Sequence, residues 1–255
     1  MAMQRYKLTL AYDGSGFHGW QKQHPPGGRP LRTVQQVVED ALTRLLRQPV
    51  TVVGASRTDA GVHAQGQVAQ FDADTPIPVE RMLKALRGRL PDDVDALALQ
   101  TAPPTFRAIN DVTTKQYRYR IWNDPAKPLG YRHLLYHGFV SLDVPRMQEA
   151  AARLVGTHDF AGFTAAHHGR ESTVRAIHRC EVSRDDTEPS IITITVEGNG
   201  FLYNMVRIIA GTLFEVGRGR FDPERVDEVL RTGDRRLAGP TLGPEGLCLQ
   251  WIKYD

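Results

Sequence analysis

The sequence predicts an α+β protein made of two ferredoxin-like βαββαβ halves whose strands join into a mixed or antiparallel sheet, leaving a cleft between the halves. Two observations carry this. Strand-type and helix-type segments follow in the order βαββαβ, and the order repeats along the 255 residues. Pro103-Pro104 then marks a junction, giving halves 1–104 and 105–255. The repeat is one of pattern only, because the halves lack strong self-similarity. No long linker separates them, so rigid docking is expected.

In the first half a strand is read at about 6–12, followed by a Gly/Pro-rich loop to Pro30. A helix follows at about 33–47, with Thr33 as N-cap and Gln36 in the capping-box position. Strands are expected at 51–55 and 66–71, then a helix at about 79–89 opened by Pro78, then a strand at about 95–101. The second half reads as a strand at about 116–123 and a helix at about 145–154 with Asp143 as N-cap. Strands at 176–183 and 190–197, a long helix at about 201–217 and a strand at about 247–253 complete it. A helical insertion is expected at 223–230, with Asp222 as its N-cap.

Composition excludes several classes. The chain is 41% hydrophobic and 24% charged, which is ordinary for a globular protein able to bury a core. Cys180 and Cys248 are far apart and form no CxxC, against a disulfide framework or a zinc site. No apolar h-region opens the sequence and no apolar run reaches a membrane span, so the expectation is a soluble, cytoplasmic protein. Net charge is only +3. The basic residues are mostly arginine, with lysine only at 7, 22, 84, 115, 127 and 253. Arginine suits phosphate forks and base stacking, and equally a heat-stable surface.

One motif fails its structural test. Gly14-Ser15-Gly16-Phe17-His18-Gly19 is a literal G-x-G-x-x-G after a strand. A dinucleotide site needs a helix to start inside it and present its N-terminus to pyrophosphate. Here the chain runs into His24-Pro25-Pro26-Gly27-Gly28, and the acidic residues Glu39 and Asp40 fall within a helical run. No nicotinamide site is expected. The loop is either a tight turn over the core edge or an aromatic surface for RNA.

The most informative stretch is Gly54-Ala55-Ser56-Arg57-Thr58-Asp59-Ala60-Gly61-Val62-His63. Strand-type runs flank it, so Asp59 sits on a strand-to-strand loop, a common location for catalytic groups. The plainer reading is an Asx-type turn at Asp59-Ala60-Gly61. Arg57-Thr58-Asp59-Ala60-Gly61-Val62-His63-Ala64 resembles the signature of the tRNA pseudouridine synthase A (TruA) family, in which the aspartate is catalytic. The resemblance spans nearly the whole chain and implies the two-lobed pseudouridine synthase fold with a central basic cleft. Segments around Tyr12-Asp13-Gly14 and Phe17-His18-Gly19-Trp20-Gln21 share it, as do Phe201, Met205-Val206-Arg207 and Gly211. Two departures stand out. Ser56 occupies a position that is usually glycine, and Phe106-Arg107-Ala108-Ile109 replaces a usual Phe-His-Ala-Arg, putting a basic residue two places early.

Arg207 falls in the apolar helix expected at 201–217, where a stranded guanidinium costs roughly 3–5 kcal/mol. Its partner is Glu215, Glu197 or a cluster of carbonyls in one reading. In the other, supported by the resemblance, it meets Asp59 and favours the ionised carboxylate. Alternation in Lys115-Gln116-Tyr117-Arg118-Tyr119-Arg120 puts both tyrosines on one face, which is core by default. The resemblance instead lays Tyr117 over the target base as a candidate for proton transfer at C5, and leaves Tyr119 in the core. Arg57 is either a surface arginine or, by resemblance, a phosphate contact or a plug for the space of a flipped nucleotide. Thr58 is read as a loop-stabilising hydroxyl among the substrate-binding residues. Arg81, Lys84 and Arg87 form one basic stripe, either a solvated face or a track for RNA phosphates. Arg170 and Arg175 are further phosphate candidates, while the adjacent His167-His168 lacks metal-ligand spacing.

The resemblance implies an isomerase acting on uridines at tRNA positions 38 to 40 in the anticodon stem-loop. It needs no cofactor and no metal, and works as a homodimer. Asp59 would serve as nucleophile at sugar or base, or as a base toward the 2′ proton. The rival from another class is a non-catalytic RNA-binding protein on two RRM-like sheets. That reading leaves a carboxylate in a basic cleft unexplained, and the closely spaced RRM aromatics are absent.

Overall fold

The computed structural model describes residues 3–23, 27–28, 30–165 and 172–255. His24, Pro25, Pro26, His167, His168, Arg170 and Glu171 lie outside the described residues. In chain order the elements are β1 (Gln4–Tyr12), α1 (Val34–Leu46), β2 (Val53–Gly54), β3 (His63–Ala73), α2 (Val79–Arg87), β4 (Val94–Ala102), β5 (Val112–Trp122), β6 (Tyr136–His137), α3 (Val144–Ala152), β7 (Gly156–Asp159), β8 (Val174–Arg184), β9 (Ile191–Gly198), α4 (Met205–Gly217), α5 (Arg225–Thr232) and β10 (Leu247–Tyr254). The fold is α+β, and the expected βαββαβ order recurs, with the short β6 and β7 and helix α5 added to the second run. The chain divides into one unit of Met1–Thr113 with Leu249–Asp255 and another of Thr114–Cys248. Pro103-Pro104 lies inside the first, and most of β10 belongs there too.

In the first unit the strand order is β4-β1-β3-β10, with β2 added against β3. β1 runs antiparallel to both β3 and β4. Its period-2 burial points Tyr6, Leu8, Leu10 and Tyr12 inward, and Tyr6 stacks on Phe71 of the paired strand at 5.1 Å. Val34, Val38, Ala41 and Leu42 of α1 and Met82 and Leu86 of α2 are fully buried. Each such leucine contributes about 1.5–3 kcal/mol over its exposed state. Thr33 caps α1 as expected, its Oγ1 accepting from Gln36 N at 3.4 Å. The Gln36 amide turns instead to Asp40, so the reciprocal half of the capping box is absent.

β2 is shorter than its apolar run suggests. The Val52 amide donates to the buried Glu39 carboxylate of α1 at 2.9 Å, which takes it out of the ladder. Gly54 lies against the Trp20 indole, where an added Cβ would sit 2.3 Å from the ring.

The second unit has strand order β5-β9-β8-β7, all antiparallel, with β6 parallel to β5. Tyr119, Ile121, Ile192, Ile194 and Val196 form its buried sheet face, and Met147, Ile208 and Leu213 of α3 and α4 are fully buried. Asp143 caps α3 as expected, accepting from Arg146 N at 3.0 Å. Asp222 does not cap α5. Its carboxylate pairs with the Arg146 guanidinium at 3.0 Å, and the helix opens at Arg225 behind Glu224. α4 opens at Met205, four residues later than expected, because Asn204 is left-handed at φ 59° and interrupts the helical path. Among the described residues no helix is long and apolar enough to cross a membrane.

Gly54→Ala is expected to destabilise the protein by about 1–3 kcal/mol, because Trp20 is only 2% exposed and has no room to retreat. Urea unfolding should show a lower midpoint with an unchanged slope. A wild-type midpoint would mean that the indole yields freely.

Candidate active site

The loop that carries Asp59 leaves the sheet after β2. Ala55 N still donates to Val68 O at 2.8 Å. At Ser56 the ladder gives way to a side chain: Ser56 N donates to Gln67 Oε1 at 3.2 Å and Gln67 Nε2 donates to Ser56 O at 2.7 Å. Gln67 is wholly buried, at 0% exposure. Ser56 needs no left-handed backbone, since the non-glycine residues described with positive φ are Arg47 and Asn204. A serine therefore fits where the family usually has glycine.

Thr58 turns inward and is buried, its Oγ1 2.8 Å from the Tyr12 hydroxyl. The Gln67 amide reaches the same hydroxyl at 3.4 Å. Thr58 O accepts from Trp20 N at 3.0 Å, and Gly61 N donates to Phe17 O at 3.2 Å. Val62 N closes a turn on Asp59 O at 3.1 Å, with Gly61 at φ 79°, a conformation few side chains tolerate. Arg57 is exposed and Asp59 half-buried, while the residue between them is buried. His63, at the start of β3, is buried; its Nδ1 accepts from Gly14 N at 3.1 Å and lies 3.2 Å from Asp13 Oδ1.

The glycine-rich stretch after β1 is thus a buttress. It forms a three-residue 3-10 turn at Gly14–Gly16 rather than a helix, as the rejected dinucleotide motif required. Phe17 and Trp20 are buried beneath the Asp59 loop's backbone contacts.

Arg81, Lys84 and Arg87 are all exposed on α2. Arg87 is committed to β4: its Nε donates to Ala96 O at 2.7 Å and its Nη2 to Leu97 O at 3.0 Å, with Asp95 3.7 Å away. Arg107 is exposed at a depression of about 300 Å³ lined also by Arg5, Val53, Gln70, Ile109 and Asn110. Arg5 braces that loop by donating from Nη1 to Pro104 O at 2.7 Å and Phe106 O at 2.9 Å.

In the second unit Tyr117 is 6% exposed on β5, opposite Val196, with its ring edge-on to Phe201 at 5.2 Å. Tyr119 is core, donating to Gly243 O at 2.8 Å, and burial pushes its phenol well above the usual range. Arg120 is half-buried rather than solvated, and desolvation lowers its pKa. Arg207 stands in the first turn of α4, not at mid-helix. Its Nε donates to Leu242 O at 2.7 Å and its Nη1 to Asn204 Oδ1 at 2.9 Å. Glu215 pairs with Arg218 and Arg220, and Glu197 with Arg179 and Gln116. Leu242 O comes close because the 239–243 segment lies against α4 where Gly211 has no Cβ; one there would sit 1.8 Å from Pro240 O. Arg175, the described member of the other phosphate pair, donates to Ser172 O at 3.1 Å. Among the described residues no group of three His, Cys, Asp or Glu side chains is placed to hold a metal ion.

A family profile described as tRNA pseudouridine synthase matches residues 9–110 and 150–255. The chain belongs to the tRNA pseudouridine synthase family. It is 43% identical over 252 residues to a Pelobacter propionicus protein named tRNA pseudouridine synthase A, covering 99% of this chain and 100% of that one. Proteins of the same name from Anoxybacillus flavithermus and Ruminiclostridium cellulolyticum are 43% and 42% identical, again over 99% of this chain and all of theirs. The family is one of isomerases. The profile's first segment holds the Asp59 loop and the basic stripe, and its second holds Arg207. Tyr117 falls between the segments, inside the range that the whole-length relatives cover.

Sequence reasoning missed Tyr12, Gln67 and Asn204. The signal for Gln67 was available: a polar amide at a position that strand alternation turns inward. Asn204 is one of the few residue types that accept left-handed geometry, a weaker signal beneath an apolar run.

Proposed function

We propose that the protein converts uridine to pseudouridine in the anticodon stem-loop of tRNA, at positions 38 to 40, with Asp59 as the reacting carboxylate. The observation that carries this reading is the Asp59 loop itself: a family signature whose neighbours are anchored inward while Asp59 stays half-exposed.

The chemistry is an isomerisation. The N1–C1′ bond breaks, the uracil turns, and a C5–C1′ bond forms; the C5 proton is lost and N1 regains one. Atoms and electrons balance within the substrate, so no cofactor is called for. Asp59 works ionised, as a nucleophile at the sugar or the base or as a base toward the 2′ proton. Arg207 supplies the counter-charge. Its hydrogen bonds to Leu242 O and Asn204 Oδ1 help to fix its position. Tyr117 stacks on the uracil and assists loss of the C5 proton, its ring steered by Phe201. Arg57 contacts phosphate or fills the space of the flipped base. Arg81 and Lys84 track RNA phosphates, with Arg87 at the edge of that track. We further infer a homodimer, as the resemblance implies, in the cytoplasm where tRNA is found.

With tRNA tritiated at uridine C5, the wild type is expected to release tritium to water. Asp59→Asn should reduce release by at least about 10³-fold while binding tRNA nearly normally. Turnover by Asp59→Asn would reject the role. Arg81→Ala combined with Lys84→Ala should weaken tRNA binding and flatten its dependence on log salt by roughly 0.7–0.9 per lost contact. A binding curve with unchanged salt slope would take the stripe out of the interface.

A further inference from the structure

We propose that Tyr12 and Gln67 are positioning residues that set the direction in which the Asp59 carboxylate is presented, and that the Thr58 hydroxyl belongs to this anchor rather than to the substrate contacts. The proposal rests on the reading of Asp59 as the reacting group.

The segment from Ser56 to Val62 has no helix or strand of its own. Its backbone would wander unless something replaced the lost ladder. Gln67 does so with one amide, which presents a donor and an acceptor to Ser56 as a neighbouring strand would. The second anchor is two residues on. The Gln67 Nε2 donates to the Tyr12 hydroxyl, which in turn shares a hydrogen bond with Thr58 Oγ1 in which either oxygen can donate. The groups are linked in series: amide, phenol, threonine hydroxyl. All three residues are buried, at 0%, 5% and 6% exposure. In a low-dielectric site such a chain is stiff, and breaking one link strands another buried polar group.

The geometry follows. Thr58 is drawn inward and buried, while its neighbour Asp59 stays half-buried. Trp20 N on Thr58 O and Gly61 N on Phe17 O hold the backbone on both sides of the carboxylate. A loss of the anchor would leave Asp59 in the protein with its chemistry intact and its aim degraded. A displacement of about 1 Å costs on the order of 10²-fold in rate.

The test is single-turnover tritium release from C5-labelled tRNA, with tRNA affinity and melting temperature measured on the same preparations. Tyr12→Phe removes one hydroxyl and no volume. It is expected to slow turnover by about 10- to 100-fold with tRNA affinity within about twofold of wild type. Thr58→Val should do the same and Thr58→Ser should restore the rate. Tyr12→Phe with Thr58→Val should be no slower than either alone, because both cut the same link. Tyr6→Phe is the control: Tyr6 is another buried β1 tyrosine, stacked on Phe71 away from the loop, and its loss should leave the rate unchanged. Gln67→Leu extends the series if it folds, and the conclusion does not need it. Wild-type rates in Tyr12→Phe and Thr58→Val, multiplying losses in the double variant, or an equal loss in Tyr6→Phe would each overturn the proposal while leaving the role of Asp59 standing. A wild type that releases no tritium would instead remove the catalytic reading on which the proposal rests.

Discussion

The Gln67 amide bridges β3 to a loop with no secondary structure of its own, and the rest of the Asp59 site depends on that bridge. A loop following a two-residue strand has little of its own to hold it. The buried amide replaces two ladder hydrogen bonds at Ser56 and extends, through Tyr12, to Thr58. Around it the backbone comes close wherever a side chain is missing. Gly54 lets the Trp20 indole press on the loop's entry, and Gly61 supplies the positive φ at its exit. The glycine-rich stretch after β1, which superficially resembles a phosphate-binding loop, gives its Trp20 amide and its Phe17 carbonyl to this loop instead.

Arg207 in the second unit is held by a parallel device. An arginine in the first turn of a helix faces the positive end of the helix dipole, an unfavourable place for a cation. The structure compensates with oxygens: the Leu242 carbonyl and the Asn204 side chain. Both depend on backbone detail, one on Gly211 admitting the 239–243 segment and the other on Asn204 adopting a left-handed turn. The acidic residues closest in sequence, Glu197 and Glu215, are engaged by other arginines.

Much of this was legible in the residues. The eight residues from Arg57 to Ala64 named the family. Thr33 and Asp143 announced their helices, because a short side-chain oxygen before an apolar run has one obvious use. The misses share a cause: a long-range partner outbid a local preference. Asp222 looked like a cap and was taken by Arg146; Val52 looked like strand and was taken by Glu39. Phe201-Leu202-Tyr203 continued an apolar helical pattern that Asn204 stops. Arg87 looked like a free member of a stripe, but its guanidinium reaches the carbonyls of β4. Gln67 was the costliest omission: an inward-facing amide was readable on β3, but its partner Ser56 was not.

These contacts make the Asp59 loop rigid in the free protein, which amide hydrogen exchange without RNA can measure. Ser56, Gly61 and Val62 each donate their amide to an internal acceptor. All three are expected to exchange far more slowly than an open loop, and Tyr12→Phe to speed them selectively with the β1–β3 ladder unchanged. Exchange of these amides at the rate of an unstructured chain in the wild type would contradict that rigidity.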